Sequence, residues 1–302
     1  MSANWSVISE KSTPIALLSI RWIALHMGRP IARSLLYPIT AYYYCFAKQQ
    51  RQASHKYLTL IFKRPATWYE TAKHIHMFAS TILDRVYLLS GQFTKLSISY
   101  PEENLPKKYS KNGMGCLLLG SHIGSFEVLR SYAVENSSIP IKILMDENHA
   151  SMIMRVFNAL NSDVANTLIP LDSSPSGLLK VKEIIYNNSI VGLLGDRILD
   201  NSSGKVLHCS LLGEAISISS APIIMAAALK VPVIVFFGIY LGGNRYRIHF
   251  DLLAEEIILN RATRQQDIQY WTQKYVNLLE HQILAHPYNW FNFYSYWEKD
   301  DE

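Results

Sequence analysis

The sequence is poor in residues that could cross-link the chain. It has three cysteines in 302 residues, and no two of them follow a Cys-x-x-Cys spacing. Cys45, Cys116 and Cys209 stand mainly among apolar neighbours, so the pattern excludes both a disulfide framework and a zinc site. We expect all three to be reduced residues of the core.

Long apolar runs are also missing from the N-terminal region. Its longest uncharged stretch covers residues 34–47, which is shorter than the ~20 residues that a simple membrane span needs. The first twelve residues are polar, and we therefore expect no signal peptide. No Pro/Gly/Ser-rich linker and no internal repeat divides the chain, which predicts a single domain over residues 1–302.

Positive charge is concentrated at one end of the chain. The net charge is +5, but residues 1–90 contain eleven Lys/Arg against three Asp/Glu. Because these basic residues are mixed with Trp, Tyr and Leu, they indicate contact with an anionic membrane surface. We find no nucleic-acid recognition motif, and a nucleic-acid partner is not expected.

Residues 14–47 form the most apolar and aromatic part of this basic region. Pro30 and Pro38 would each break a helix, so the pattern predicts one or two short helices. We expect these helices to lie in the membrane interface, with the tyrosines at 42–44 at headgroup depth. The alternative is a soluble helical hairpin that packs on the core.

Short apolar strands alternate with helical patterns along the rest of the chain. The predicted strands cover residues 116–119, 141–145, 167–169, 189–194, 231–237 and 245–252, and the predicted helices cover 66–89, 150–160, 175–186, 223–230 and 265–284. This alternation predicts an α/β fold with a mixed, mostly parallel central sheet flanked by helices.

A polar turn with His122 and Glu127 follows the first predicted strand. In a continuous helix, residues five apart are rotated by roughly 140°, so these two side chains would not share a face. A strand that ends at His122, followed by a helix capped by Ser125, would bring the Glu127 carboxylate back to the imidazole. Such a pair at the carboxyl edge of a sheet suits general base catalysis, and a polar turn with one structural hydrogen bond is the alternative.

The sequence around this pair is Leu-Gly-Ser-His-Ile-Gly-Ser-Phe-Glu-Val-Leu-Arg, which resembles the late (lauroyl- and myristoyl-type) acyltransferases of lipid A biosynthesis. The His-x4-Glu spacing is similar to the motif of the wider glycerolipid acyltransferase superfamily. Shorter bacterial members of the lipid A family end in the aromatic pattern Pro-Tyr-x-Trp-Phe-Asn-Phe-Tyr-x-x-Trp, present here at 287–297. We expect this pattern to close the core, with an acyl channel as the alternative.

The resemblance implies an O-acyltransferase. It would move a fatty acyl group from acyl carrier protein or coenzyme A to a hydroxyl of a membrane lipid or glycolipid, with no cofactor. His122 would be the general base and Glu127 the residue that orients it, at the cytoplasmic face of a bacterial inner membrane. A membrane-associated hydrolase and a catalytically silent lipid-binding protein are the alternatives, and the first is weak because His122 stands where a nucleophile elbow needs Ser.

Substrate-binding candidates follow another predicted strand. Asp196 and Arg197 come directly after residues 189–194, in a Gly-Asp-Arg sequence that is typical of the shorter family members. Arg197 could offer its planar fork to a phosphate or carboxylate, with Asp196 orienting it or a sugar hydroxyl. A local ion pair that shapes the loop is the alternative. Arg130 and Arg155 are further candidates for substrate binding.

Overall fold

The computed structural model describes residues 22–101, 104–135, 139–145, 167–170, 174–198 and 206–297. Its centre is a seven-stranded sheet with helices on both faces. The strands of the described chain are β1 (Ser97–Ser99), β2 (Leu117–Gly124), β3 (Ile141–Met145), β4 (Leu168–Pro170), β5 (Ile190–Leu194), β6 (Val206–Leu211), β7 (Glu214–Ser219), β8 (Val233–Gly242) and β9 (Arg245–Ala254).

The order of strands across the sheet is β1-β9-β8-β2-β5-β3-β4, and β6 pairs with β7 in a separate hairpin. β2 lies in the middle, parallel to β5 on one side and to β8 on the other. Within this sheet only the β8–β9 pair is antiparallel. The predicted α/β fold with a mostly parallel central sheet is confirmed.

Helices cover the sheet, and the first of them belong to the N-terminal region of the chain. They include α1 (Arg29–Ser34), α2 (Leu36–Phe46), α3 (Lys48–Phe62), α4 (Trp68–Leu89), α5 (Leu105–Lys111), α6 (Leu129–Glu135), α7 (Pro175–Tyr186), α8 (Ala221–Leu229) and α9 (Arg264–Ala285). Pro30 and Pro38 lie in the first turns of α1 and α2, where a missing N–H costs no helical hydrogen bond.

No helix in the described residues is both long and apolar enough to cross a membrane. Helices α1 and α2 instead pack against α4. Asp84 of α4 is buried and accepts both Nε and Nη2 of Arg29 at 2.9 Å, and the Tyr246 hydroxyl donates to the same carboxylate at 2.9 Å. Arg33 adds a hydrogen bond to the Tyr240 hydroxyl at 2.8 Å. The N-terminal helices are therefore fixed to the sheet by buried polar contacts.

The core has two layers, one on each face of the sheet. Along β2, Leu117 and Leu119 pack into one layer with α3, α7, α8 and α9, while Leu118 packs into the other. The opposite layer includes Leu88 of α4 and Tyr132 of α6. Because strand side chains alternate between faces, an uninterrupted apolar run such as this one is expected for a strand that is covered on both sides.

The structure differs from the sequence prediction in several described regions. β2 continues to Gly124, five residues beyond the predicted strand, so His122 lies inside the strand. β1, α3, α5 and the β6–β7 hairpin were not predicted, and Cys45 is exposed rather than part of the core. The hairpin turns through Leu212 and Gly213, both with positive φ, and Leu gives no sequence signal for such a turn. The helix expected at 150–160 lies outside the described residues.

Candidate active site

The register of two parallel strands brings His122 beside Asp196. Gly120 of β2 pairs with Leu194 of β5, and the Gly195 N–H donates to the Gly120 carbonyl at 3.0 Å. Each site residue stands two positions beyond this last pair. Neighbouring parallel strands end at the same edge of a sheet, which is where ligands of α/β folds usually bind.

A short, two-point contact joins the two side chains. His122 Nδ1 lies 2.7 Å from Asp196 Oδ1, and the backbone N–H of His122 donates to Oδ2 at 2.9 Å. Asp196 is completely buried, whereas the His122 side chain is 22 % exposed. The carboxylate therefore fixes both the backbone and the ring of His122, while part of the side chain remains accessible.

The C-terminal aromatic segment, residues 287–297, completes the surroundings of Asp196. Trp290 Nε1 and Asn292 Nδ2 donate to Asp196 Oδ2 at 3.2 and 3.3 Å, and the Tyr296 hydroxyl donates to its backbone carbonyl at 2.7 Å. The Phe291 N–H donates to the carbonyl of His122 at 2.9 Å. This segment therefore closes the core, as predicted, and also supports the His122–Asp196 pair.

Local charges set the protonation of the pair. Burial alone would raise the pKa of the Asp196 carboxyl, but the contacts with His122 and the charge of Arg197 outweigh it and hold that pKa well below its usual range. Burial lowers the pKa of His122, and Arg197 and Arg85 lower it further against the opposing effect of Asp196. At neutral pH the pair is a carboxylate and a neutral imidazole.

The tautomer of that imidazole follows from its partner. An ionised carboxylate only accepts hydrogen bonds, so Nδ1 of His122 carries the proton and the lone pair lies on Nε2. In the described part of the chain nothing forms a hydrogen bond with Nε2. The arrangement can remove a proton from a bound hydroxyl and stabilise the imidazolium that results.

Glu127 makes different contacts from those the sequence predicts. Its Oε2 accepts the Ser125 hydroxyl at 2.9 Å, and its Oε1 lies 3.1 Å from Arg85 Nε on α4. The orienting position on Nδ1 of His122 belongs to Asp196 instead. The physical reason is that β2 continues through His122 and places the ring beside β5, while Ser125 and Arg85 hold the Glu127 carboxylate beside α4.

The predicted substrate-binding residues differ in the contacts that the structure gives them. In the described residues the Asp196 carboxylate accepts hydrogen bonds from protein N–H groups, among them both N–H groups of His122, and the charge of Arg197 helps to keep it ionised. Arg197 donates from Nε to Asn292 Oδ1 at 2.8 Å and from Nη2 to the Phe291 carbonyl at 3.1 Å. Arg130 donates to Thr167 at 3.2 Å, and Arg155 lies outside the described residues.

Sequence reasoning missed three residues of the site: Arg85, Trp290 and Asn292. The two C-terminal residues belong to the aromatic signature, whose polar N–H groups were the available signal. Arg85 lies in a helix whose periodicity explains only its apolar face. No cluster of three or more His, Cys, Asp or Glu side chains that could hold a metal ion occurs within the described ranges.

Comparison with known proteins identifies a family for the chain. A search of curated proteins finds no match to the chain. A family model described as bacterial lipid A biosynthesis acyltransferase matches residues 12–299, which include the whole of the site and both supporting strands. The match covers nearly the entire sequence and agrees with the resemblance carried by its motifs. The chain therefore belongs to the bacterial lipid A biosynthesis acyltransferase family.

Proposed function

We propose that the protein transfers a fatty acyl group from an acyl thioester to a hydroxyl of a membrane lipid or glycolipid, with His122 as the general base. The observation that carries the proposal is the His122–Asp196 pair, in which a buried carboxylate holds Nδ1 and leaves Nε2 without a described partner. Family membership supplies the acyl donor and the lipid acceptor in general terms. The thioester, either acyl carrier protein or acyl-CoA, and the hydroxyl are parts of our proposal.

In the proposed reaction one proton is transferred twice, first to His122 and then from it. Nε2 of His122 takes the proton of the acceptor hydroxyl as its oxygen bonds to the thioester carbonyl carbon. The tetrahedral intermediate then collapses with cleavage of the carbon–sulfur bond, and the leaving thiolate takes the proton back from Nε2. The products are an ester and a free thiol. Asp196 stabilises the imidazolium between the two transfers and stays ionised throughout.

Three arginines supply positive charge for substrates in this scheme. Arg197 follows Asp196 directly in the chain, and its charge lowers the pKa of His122. Arg130 is close enough to Glu127 for that carboxylate to oppose the lowering of the Arg130 pKa by burial. We keep both residues, together with Arg155, as proposed contacts of the donor or acceptor. Guanidinium groups suit carboxylate and phosphate oxygens at such positions.

Membrane attachment belongs to the same proposal, because the acceptor is a lipid. The N-terminal region is basic, and α1, α2 and the residue between them expose large apolar side chains that include Ile31, Leu35, Tyr42 and Phe46. Basic residues together with exposed aromatics favour the surface of an anionic bilayer. We propose that residues 14–47 attach the enzyme to the cytoplasmic face of a bacterial inner membrane.

A lipid-extract assay tests the proposed activity. Lipids from cells that lack the protein are incubated with purified enzyme and with either an acyl carrier protein thioester or acyl-CoA. The masses of the product lipids are then measured by mass spectrometry. Wild-type protein is expected to produce a lipid heavier by one acyl group. His122→Ala is expected to slow this conversion by about 10²- to 10⁴-fold, the usual contribution of a general base.

The matched control is His281→Ala, which removes an exposed histidine of α9 and should leave the rate unchanged. Circular dichroism confirms that each variant is folded. Release of free fatty acid without a heavier lipid would identify a hydrolase. Wild-type transfer by folded His122→Ala protein would remove the proposed mechanism.

A further inference from the structure

The charged pair formed by Arg85 and Glu127 has no place in the proton transfer described above. Arg85 lies on α4, and its Nε is 3.1 Å from Oε1 of Glu127, in the turn that follows β2. The Ser125 hydroxyl holds the other oxygen of the same carboxylate at 2.9 Å. Glu127 is thus held by one hydrogen bond and one ion pair, and the ion pair places its carboxylate beside the Nε edge of the Arg85 guanidinium.

The other edge of that guanidinium is available. The Arg85 side chain is 39 % exposed, and in the described chain no group accepts a hydrogen bond from its two terminal nitrogens. A guanidinium has five N–H donors arranged to match carboxylate and phosphate oxygens. The contact between Arg85 Nε and Glu127 is largely buried, whereas the far side of the guanidinium is exposed, so the ion pair itself does not use the remaining donors of Arg85.

Arg85 also lies near the proposed base. Its charge contributes to the lowered pKa of His122, together with burial and Arg197 and against Asp196. Glu127 faces two guanidiniums, those of Arg85 and Arg130, and the latter is already hydrogen bonded to Thr167. Arg85 is therefore the cation of this group that combines an available edge with proximity to the imidazole.

We propose that Arg85, held in place by Glu127, binds an anionic oxygen of the bound reactants beside His122. The anionic oxygen belongs either to a phosphate on the lipid acceptor or to the tetrahedral intermediate at the thioester carbonyl. In both cases Glu127 is a positioning residue that acts through Arg85 rather than through the imidazole. This inference rests on the proposed acyl transfer and adds a recognition site to it.

The kinetic test compares Arg85→Gln, Arg85→Lys, Glu127→Gln and the double variant in the lipid-extract assay. We expect Arg85→Gln to lower kcat/KM by about 10- to 100-fold, as the loss of one charge-assisted contact does, and Arg85→Lys to recover part of it. As a single change, Glu127→Gln should lower kcat/KM. In a protein that already carries Arg85→Gln, it should lower kcat/KM little further. Effects of the two single changes that multiply in the double variant would overturn the positioning role of Glu127.

Two arms identify the source of the anionic oxygen. The same extract is assayed before and after treatment with alkaline phosphatase, which removes phosphate monoesters. A rise in KM of Arg85→Gln that is confined to the untreated extract assigns the contact to an acceptor phosphate. An equal fall in kcat with both extracts assigns it to the intermediate. Wild-type kinetics of Arg85→Gln with both extracts would overturn the proposal.

A titration separates this role from a structural one. The pKa of His122 is followed by NMR of labelled histidine, with and without inorganic phosphate, and His122→Gln assigns the signal. Without phosphate, Arg85→Gln should raise the His122 pKa, because the Arg85 charge lowers it. Phosphate should raise the pKa in wild type and less in the variant. Identical titrations of both proteins would contradict the proposed site.

Lys73→Gln is the matched control for both measurements, since it removes one exposed positive charge from the same helix. It should change neither the kinetics nor the His122 titration. The His122→Ala variant tests the proposed acyl transfer independently of Arg85. An inactive His122→Ala with fully active Arg85→Gln would remove only the present inference, whereas an active His122→Ala would remove the acyl-transfer mechanism itself.

Discussion

Asp196 is the residue on which the chemistry of the site most directly depends. Its carboxylate fixes the ring of His122 through Nδ1 and the strand through the backbone N–H, and it accepts two further N–H groups from the C-terminal segment. A carboxylate so well supplied with donors remains ionised although it is fully buried. The orientation of the His122 ring is thus determined by the protein itself.

We predict that Asp196→Asn lowers turnover by about 10²- to 10⁴-fold, because an amide no longer enforces the tautomer with the proton on Nδ1. The residual activity should change its pH dependence as well. Transfer needs neutral His122 and therefore falls as the pH drops below the pKa of that residue. Since Asp196 raises this pKa, its loss should move the fall in turnover to lower pH. Initial rates measured across pH check both effects.

Asp251→Asn is the matched control for this experiment. It breaks a second His–Asp contact, that of His249 Nε2 with Asp251 Oδ2 at 3.0 Å on β9, outside the site. The control should keep the wild-type rate and pH profile. An Asp196→Asn protein that is folded and retains the wild-type profile would show that His122 is oriented by another group.

The sequence predicts the base of the site but not its partner. Spacing within one segment supports an argument for contact between His122 and Glu127, five residues apart. The contact of His122 with Asp196 depends on the register between β2 and β5, and no local sequence pattern predicts that register. Both residues follow predicted parallel strands, so their common sheet edge was predictable. Their pairing was not, because a shift of one residue turns a strand side chain to the other face.

At the scale of elements, the end of β2 is the part of the fold that positions the site. Its pairing with β8 is interrupted between Gly120 and Gly124, and the C-terminal segment takes over through a bridge between Ile123 and Trp290. β2 then returns to β8 where the Ser125 N–H donates to the Gly238 carbonyl at 2.8 Å. His122 therefore lies in a stretch whose two sides are held by different elements.

Gly124 permits this close return. It has a φ of +64°, and a Cβ atom there would lie 2.0 Å from the Gly238 carbonyl oxygen. We predict that Gly124→Ala lowers the free energy of unfolding by about 2 to 5 kcal/mol, from the left-handed backbone and from the clash with backbone atoms. Gly113→Ala shares the positive φ but meets nothing within 4 Å, so about 1 to 2 kcal/mol is expected there.

Urea unfolding of the three proteins measures these differences. The comparison with Gly113→Ala isolates the steric part, because both substitutions place alanine at a positive φ. Equal losses in the two variants would mean that β2 and β8 separate at little cost, and that the end of β2 is not held as tightly as the structure indicates. Acyl transfer by folded Gly124→Ala protein should also be reduced, since His122 lies two residues away.

Prediction of the elements succeeded where apolar patterns are long. The bounds of β3 and α7 agree with the predicted ranges, and α9 differs by one residue at each end. The pattern failed for the β6–β7 hairpin, where Leu occupies the first position of the Leu-Gly turn, and for the polar end of β2. In both places contacts distant in sequence determine the conformation, and composition gives little indication of them.

On the scale of the whole molecule, the N-terminal helices are joined to the helix that borders the site. The Arg29–Asp84 ion pair ties α1 to α4, and the next residue of α4, Arg85, faces the site. The same helices expose aromatic side chains on their outer surface. An attachment surface on α1 and α2 would therefore be rigidly connected to the helix that carries Arg85.

We predict that the exposed aromatics of this region determine membrane binding. Trp22, Tyr42 and Phe46 are 57, 61 and 71 % exposed, and burying one such side chain is worth roughly 1.5 to 3 kcal/mol. Replacing all three with Ser should abolish most sedimentation with vesicles of phosphatidylethanolamine and phosphatidylglycerol. High salt should weaken the binding of wild type without abolishing it, because salt screens the basic residues but leaves apolar burial intact.

The matched control replaces three exposed apolar side chains elsewhere, Tyr186, Ile258 and Tyr270, and should sediment like wild type. The Ser variant is also assayed for acyl transfer in detergent, where the acceptor is presented without a bilayer. Because its site is unaltered, activity should be retained in detergent and lost on vesicles. Full vesicle binding by the Ser variant, or equal loss in the control, would show that α1 and α2 pack only on the protein and that another surface meets the lipid.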